Sequence, residues 1–113
     1  MKLAVIVLNK TECLEALLES FYEEGLSGAT ILDSHGMAHT LEDNAGMSFL
    51  FSLRLLLDPS HRESKTIFLV VEDERLKDVS RLLNQATGGL DQPDTGILFA
   101  VDVSYTEGFG EAK

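Results

Sequence analysis

Two histidines four residues apart, His35 and His39, are the side chains of this sequence best suited to hold a metal ion. Three carboxylates stand close to them along the chain: Asp33, Glu42 and Asp43. On a helix, this spacing would place both imidazoles on one face beside a carboxylate, and such a ligand set suits Zn²⁺ or Cu²⁺. Gly36 lies between the two histidines and disfavours a helix there. Two hypotheses remain, a metal site or solvated polar residues at the base of a loop.

A pair of glycines, Gly88 and Gly89, could bind an anion through the backbone. Successive N–H groups in such a turn can point the same way and hold a phosphate or a carboxylate. The pair also follows a helical pattern, and a glycine commonly ends a helix. Both interpretations, ligand binding and simple helix termination, stay open.

Motifs for catalysis are absent from the sequence. The single cysteine, Cys13, falls within a helical pattern, which is typical of a small packing residue. Neither G-x-S-x-G, nor a Walker loop, nor G-x-G-x-x-G occurs. We therefore predict a binding or regulatory protein, not an enzyme.

Composition narrows the class of partner. The chain has 113 residues and a formal charge of −10, and its few basic residues are scattered, whereas nucleic-acid binding needs clustered Lys and Arg. Apolar runs stay below the roughly 18 residues that span a bilayer. The apolar start of the chain lacks a small-residue cleavage site. We expect a single cytoplasmic domain, residues 1–113, that binds no nucleic acid and does not insert into a membrane.

Hydrophobic patterns predict four strands and two helices. The strands are expected at residues 2–8, 29–32, 66–72 and 97–103, where apolar and β-branched residues run together. The first helix would be capped by Thr11, end at Gly25 and bury one apolar face: Leu14, Leu17, Leu18, Phe21 and Tyr22. The second would be capped by Asp73 and bury another: Leu76, Val79, Leu82, Leu83 and Ala86.

This βαββαβ order predicts an α+β, ferredoxin-like sandwich, in which two helices cover one face of a four-stranded antiparallel sheet. The first, third and fourth strands are apolar on both faces, yet the helices can cover only one. An exposed apolar face of that size would favour aggregation. We therefore expect an obligate oligomer whose subunits cover each other's open sheet faces.

The segment 36–62 joins the second and third strands and contains an apolar stretch, MSFLFSLRLLL. A structureless insertion of this length would be unusual in a compact domain. The stretch could pack inside the oligomer or serve as a docking surface for a partner protein.

Three segments in order resemble the PII nitrogen-regulatory signalling proteins over nearly the whole chain. The segment GLSGATILDSHG is similar to that family's G-x-[ST]-G-x-T-x-x-x-x-x-G motif through five residues: Gly25, Ser27, Gly28, Thr30 and Gly36. The segment TIFLVVEDERLKDVSRLL is similar to the family's third strand and second helix, and GILFAVDV to its fourth strand.

The resemblance implies a homotrimer that binds adenine nucleotides (ATP, ADP or AMP) in clefts between subunits. The segment 36–62 would correspond to the family's T-loop, which docks onto a transporter, an enzyme or a regulator. By position, the cleft would use residues from the loop base and from the end of the second helix: Thr30, Gly36, Met37, Ala38, Thr87, Gly88 and Gly89.

The chain departs from the family at its cationic positions. A phosphate-binding lysine is replaced by Ile97, and two arginines by Gly108 and Gly110. Lys and Arg are the residues that hold a polyphosphate in a partly wet cleft. The expected effector is then a nucleotide with few phosphates, or another small anion or metabolite. If His35 and His39 bind a metal, the trimeric CutA-type divalent-cation proteins are the better analogy.

Overall fold

The ferredoxin-like order of elements is confirmed in a computed structural model, which describes residues 1–37, 48–50, 54 and 63–109. The elements in chain order are β1 (Lys2–Leu8), α1 (Leu14–Glu23), β2 (Thr30–Ser34), β3 (Ser64–Val71), α2 (Leu76–Thr87) and β4 (Gly96–Asp102). The predicted segment between β2 and β3 lies mostly outside the described residues.

The four strands form one antiparallel sheet in the order β2-β3-β1-β4. Strand β1 pairs with both β3 and β4, and its last residue, Leu8, lies opposite Lys65 of β3 and Gly96 of β4. The shorter β2 pairs with β3 from Thr30 opposite Phe68 to Ser34 opposite Ser64. The C-terminal end of β2 therefore lies at the same end of the sheet as the start of β4.

Both helices pack on one face of the sheet, where the core forms. Alternate residues of β1 and β3 and the apolar faces of the helices are almost completely buried there: Ala4, Ile6, Leu8, Leu17, Phe21, Ile67, Leu69, Val71, Val79, Leu82 and Leu83. The spacing of three and four residues in the helices places these side chains on one face. The second predicted helical face is confirmed, since Leu76 and Ala86 also pack against this core.

Two details of the helices α1 and α2 differ from the sequence predictions. Tyr22 is 75% exposed, because the buried face of α1 is centred on Leu17 and Phe21. Each helix starts with a single 3₁₀ turn, and neither Thr11 nor Asp73 provides a side-chain cap. The Asp73 carboxylate instead forms an ion pair with the N-terminal ammonium at 2.9 Å.

Gly25 terminates helix α1, as predicted: the last helical residue is Glu23, and Gly25 has a left-handed φ of 81°. The N–H of Gly25 donates to the carbonyl of Tyr22, and the N–H of Leu26 donates to the carbonyl of Phe21. These two bonds form a Schellman motif, which normally brings an apolar residue back onto the helix. Leu26 fulfils this role, since it is only 6% exposed and packs in the core.

The opposite face of the sheet is apolar and uncovered by the described residues. Alternate residues of the strands point to this open face, and several large side chains are exposed: Leu32 (46%), Phe68 (37%), Ile97 (56%), Phe99 (49%) and Val101 (47%). The prediction of an apolar sheet face without a helical cover is thus met in the single chain.

Candidate functional site

The segments expected to hold a ligand lie at one end of the sheet but belong to different parts of it. Gly36 and Met37 follow the end of β2, whereas Thr87 is the last residue of α2 and Gly88 and Gly89 follow that helix. The ammonium of Lys10, just beyond β1, bonds the carbonyl of Thr87 and places the second segment beside the end of β1.

Strand β3 separates the two segments. Because neighbouring strands are about 4.8 Å apart, the ends of β2 and β1 are roughly 10 Å from each other. Thr30 is farther still from the turn after α2, since it opens β2 and lies opposite Phe68 in β3. Ala38, the remaining residue of the predicted set, lies outside the described residues. Within one chain, the two segments are therefore separated by the width of β3.

The turn after α2 is closed by its own hydrogen bonds. The N–H of Gly88 donates to the carbonyl of Asn84, and the N–H of Gly89 donates to the hydroxyl of Thr87 at 3.3 Å. The N–H of Leu90 donates to the side-chain oxygen of Asn84 at 2.8 Å. Helix termination by Gly88 is thus confirmed, and an anion could use these N–H groups only by displacing the bonds they already make.

Charge at this turn comes from two side chains of opposite sign. Lys10 contributes an ammonium 2.9 Å from the Thr87 carbonyl. Asp91 places its carboxylate against Gly89, where an added Cβ would lie 2.5 Å from the Asp91 Oδ1 atom. The turn can thus offer one cation to an anionic ligand, but the carboxylate beside it opposes a highly charged polyphosphate.

The base of the 36–62 segment contains a cluster of hydroxyl groups that sequence reasoning missed. The Ser34 hydroxyl is hydrogen-bonded to the hydroxyls of Ser64 (2.8 Å) and Thr66 (2.7 Å), and Ser64 is almost fully buried. These residues are far apart in sequence and meet only because β2 and β3 pair. The cluster fixes the point at which the chain leaves β2.

Beside the hydroxyl cluster, Lys65 pairs with Asp33 at 2.6 Å and with Glu63 at 3.3 Å. Hydrogen bonding to Asp33, and then to Glu63, raises the pKa of the Lys65 ammonium above its usual value. Asp33 is thus engaged with a lysine in the described structure and would have to leave this pair to join a metal site.

The metal hypothesis at His35 and His39 stays a prediction. His35 directly follows β2, whereas His39 lies outside the described residues. Within residues 1–37, 48–50, 54 and 63–109, no group of three His, Cys, Asp or Glu side chains is close enough to hold a metal ion.

A groove of about 500 Å³ lies at the opposite end of β2. We call it the β3 groove. Its walls are the segments 25–28 and 108–109, its floor is the end of β3, and Arg75 lies at its rim. The sequence gives one signal for it, since the predicted third strand is longer than the predicted second strand and must extend beyond it.

Comparison with models of known protein families and with curated proteins finds no match to this chain. Among the helices of the described residues, none is long and apolar enough to cross a membrane.

Proposed function

We propose that the chain is a PII-like signalling protein: a homotrimer that binds a small effector in clefts between subunits and controls a partner protein through segment 36–62. The effector is an adenine nucleotide with few phosphates or another small anion. The partner is a transporter, an enzyme or a regulator.

The open sheet face is the single observation that carries this proposal. Its three exposed β4 side chains, Ile97, Phe99 and Val101, are each about half exposed and lie in one row along an edge strand. Burying apolar surface contributes about 25 cal/mol per Å². Another copy of the chain presents the same apolar face, so two copies can cover each other's open sheet without a different partner.

The distribution of the predicted ligand residues supports a site between chains. Gly36 and the Thr87–Gly89 turn are separated by the width of β3 within one chain, so association would be needed to make them walls of one cleft. Lys10 would then provide the nearest ammonium to an effector at the turn. A single ammonium suits a ligand of low negative charge better than a triphosphate.

Two measurements on the full chain test the proposal. Sedimentation velocity at micromolar concentration should give a mass about three times the 12.4 kDa of one chain. Thermal-shift assays with AMP, ADP and ATP should then show stabilisation, since a ligand at 100 times its Kd contributes about 2.7 kcal/mol. A folded monomer would overturn the proposal.

The same panel should include Zn²⁺ and Cu²⁺ on the wild type and on the double variant His35→Ala/His39→Ala. Stabilisation by a metal that the double variant loses, without any response to nucleotides, would replace the signalling role by CutA-like metal binding. A trimer that responds to AMP or ADP and is indifferent to the histidine substitutions would support the signalling role.

A further inference from the structure

The end of β3 extends beyond its partner strand. The pairing of β2 with β3 stops at Thr30 opposite Phe68, whereas β3 continues to Val71. By the same register, Gly28 would lie opposite Val70, but the chain diverges there and forms a wall of the β3 groove. The last residues of β3 therefore pair with β1 on one side, and on the other they border the groove whose walls are the segments 25–28 and 108–109.

The direction of the free backbone groups follows from the register. Two hydrogen bonds just beyond the strand ends show which residues of β1 point to β4. The N–H of Asn9 donates to the carbonyl of Thr95, and the N–H of Val103 donates to the carbonyl of Met1. Backbone groups of antiparallel strands alternate in direction, so odd-numbered residues of β1 point to β4 and even-numbered ones to β3. Leu69 and Val71 lie opposite Ala4 and Lys2 and point back to β1. Val70 consequently directs its N–H and C=O into the β3 groove.

The charged side chains that line this edge, among the described residues, are one carboxylate, Glu72, and one guanidinium, Arg75. Glu72 lines the groove, and the exposed side chains of Glu23 and Glu74 flank it along the chain. Within the described residues, no ion pair involves these three glutamates, whereas Glu24 is paired with Arg81 at 3.3 Å. Arg75, at the rim, is already engaged with the Asp78 carboxylate and the Glu24 carbonyl.

We propose that the β3 groove binds an extended, basic peptide segment of a partner protein, which adds to the sheet as a short strand beside Val70. Main-chain bonds to Val70 provide the pairing that an exposed strand edge lacks. Lysine or arginine side chains on the peptide face Glu72 and its acidic neighbours. The residues named for this groove are not part of segment 36–62, so the inference does not depend on the proposed signalling role.

The other edge of the sheet, β4, is the competing site. It is longer than the free part of β3, and the shallow groove beside it is lined by Leu76, Leu98 and Phe99. Lys77 also lines that groove and would repel a basic peptide. The charges therefore favour the β3 groove.

The first experiment uses the full chain and the blocked peptide Lys-Val-Thr-Val-Lys as a probe, followed by NMR and amide hydrogen exchange. In the free protein, the Val70 amide should exchange faster than those of Leu69 and Val71, because only these two bond β1. Saturating peptide should slow the exchange at Val70. An analogue N-methylated at its three central residues should not bind, and Glu-Val-Thr-Val-Glu should bind at least about tenfold more weakly.

Matched proline variants identify the edge. Val70→Pro removes the donor that faces the groove and spares the ladder to β1, so its affinity for the peptide should fall about tenfold. Ala100→Pro places the same ring at an outward-facing position of β4 and should bind as the wild type does. Loss of binding in Ala100→Pro alone would overturn the proposal, as would equal binding of the N-methylated peptide or no binding of Lys-Val-Thr-Val-Lys at all.

Discussion

The Nζ atom of Lys10 donates a hydrogen bond of 2.9 Å to the main-chain carbonyl of Thr87, 77 residues later in the chain. This contact joins the turn after β1 to the C-terminal end of α2, where carbonyl groups have no partner within the helix. A cation at this position also interacts favourably with the helix dipole. One side chain thus positions the Gly88-Gly89 turn that the proposed cleft would use.

Lys10→Met should lower the free energy of unfolding by about 1 kcal/mol, because it removes this bond and the charge at the helix end. The measurement is chemical denaturation at low salt. Lys77→Met is the matched control, since Lys77 is exposed on the first turn of α2. Equal effects of the two substitutions would show that the Thr87 contact contributes nothing specific. The same pair of variants, tested with AMP, would reveal whether Lys10 also affects ligand binding.

Gly25→Ala should destabilise the fold by about 1 kcal/mol, because residue 25 has a φ of 81°, which a Cβ disfavours. Gly28→Ala provides the control from the same segment. An added Cβ at either position would meet no atom within 4 Å, but only Gly25 has the left-handed backbone. The Gly28 variant should stay within about 0.5 kcal/mol of the wild type in denaturant unfolding. A comparable loss in both variants would contradict the role given to the Schellman motif.

The bounds of a strand can be predicted from the sequence where they coincide with an apolar run, but not where they depend on pairs between distant residues. The bounds of β1, Lys2–Leu8, agree with the prediction because a continuous apolar run with β-branched residues is typical of a strand. Strand β2 extends to Ser34, beyond its predicted end, and β3 begins at Ser64, before its predicted start. Asp33 pairs with Lys65 across these ends, and the serines bond each other. Such pairs between distant residues leave no local pattern.

The candidate site was less accessible to prediction than the fold. Gly88 could be recognised as the end of a helix, but the donors of its turn are engaged by Asn84 and Thr87, which depends on side-chain positions. The β3 groove depends on where β2 stops pairing, and hence on the divergence of the chain at Gly28. Residue patterns predict individual strands and helices, whereas a groove between two of them can be located only when it is known which residues of the strands pair.

The stability of the wild type should depend on acid through Asp78. Hydrogen bonding from Arg75, and then from Arg81, lowers the pKa of the Asp78 carboxyl below its ordinary value of 3.8. A lowered pKa in the folded state means that the stabilisation is present above pH 3.8 and is lost as the pH falls through the folded value. Asp78→Asn should therefore lower the Tm at pH 6 and approach the wild type once the pH falls below the lowered pKa of Asp78 in the folded state.

A double-mutant cycle with Arg75→Met assigns this pH dependence to the pair. The coupling between the two substitutions should be measurable by thermal unfolding at pH 6 and should disappear in acid as Asp78 becomes protonated. A coupling that persists unchanged at low pH would mean that the charge on Asp78 is not its source.

Phe99→Lys should abolish self-association while leaving the chain folded. Phe99 lies on the open sheet face and is 49% exposed in the single chain, so a lysine there costs little without a partner chain. Inside an apolar interface it would bury a charge, which is strongly unfavourable.

Tyr22→Lys is the matched control, because Tyr22 is an aromatic residue, 75% exposed, on the helical side of the molecule. Sedimentation velocity should give a monomer for the first variant and the wild-type mass for the second, with circular dichroism confirming that both are folded. An unchanged mass for Phe99→Lys would exclude the open face as the subunit interface.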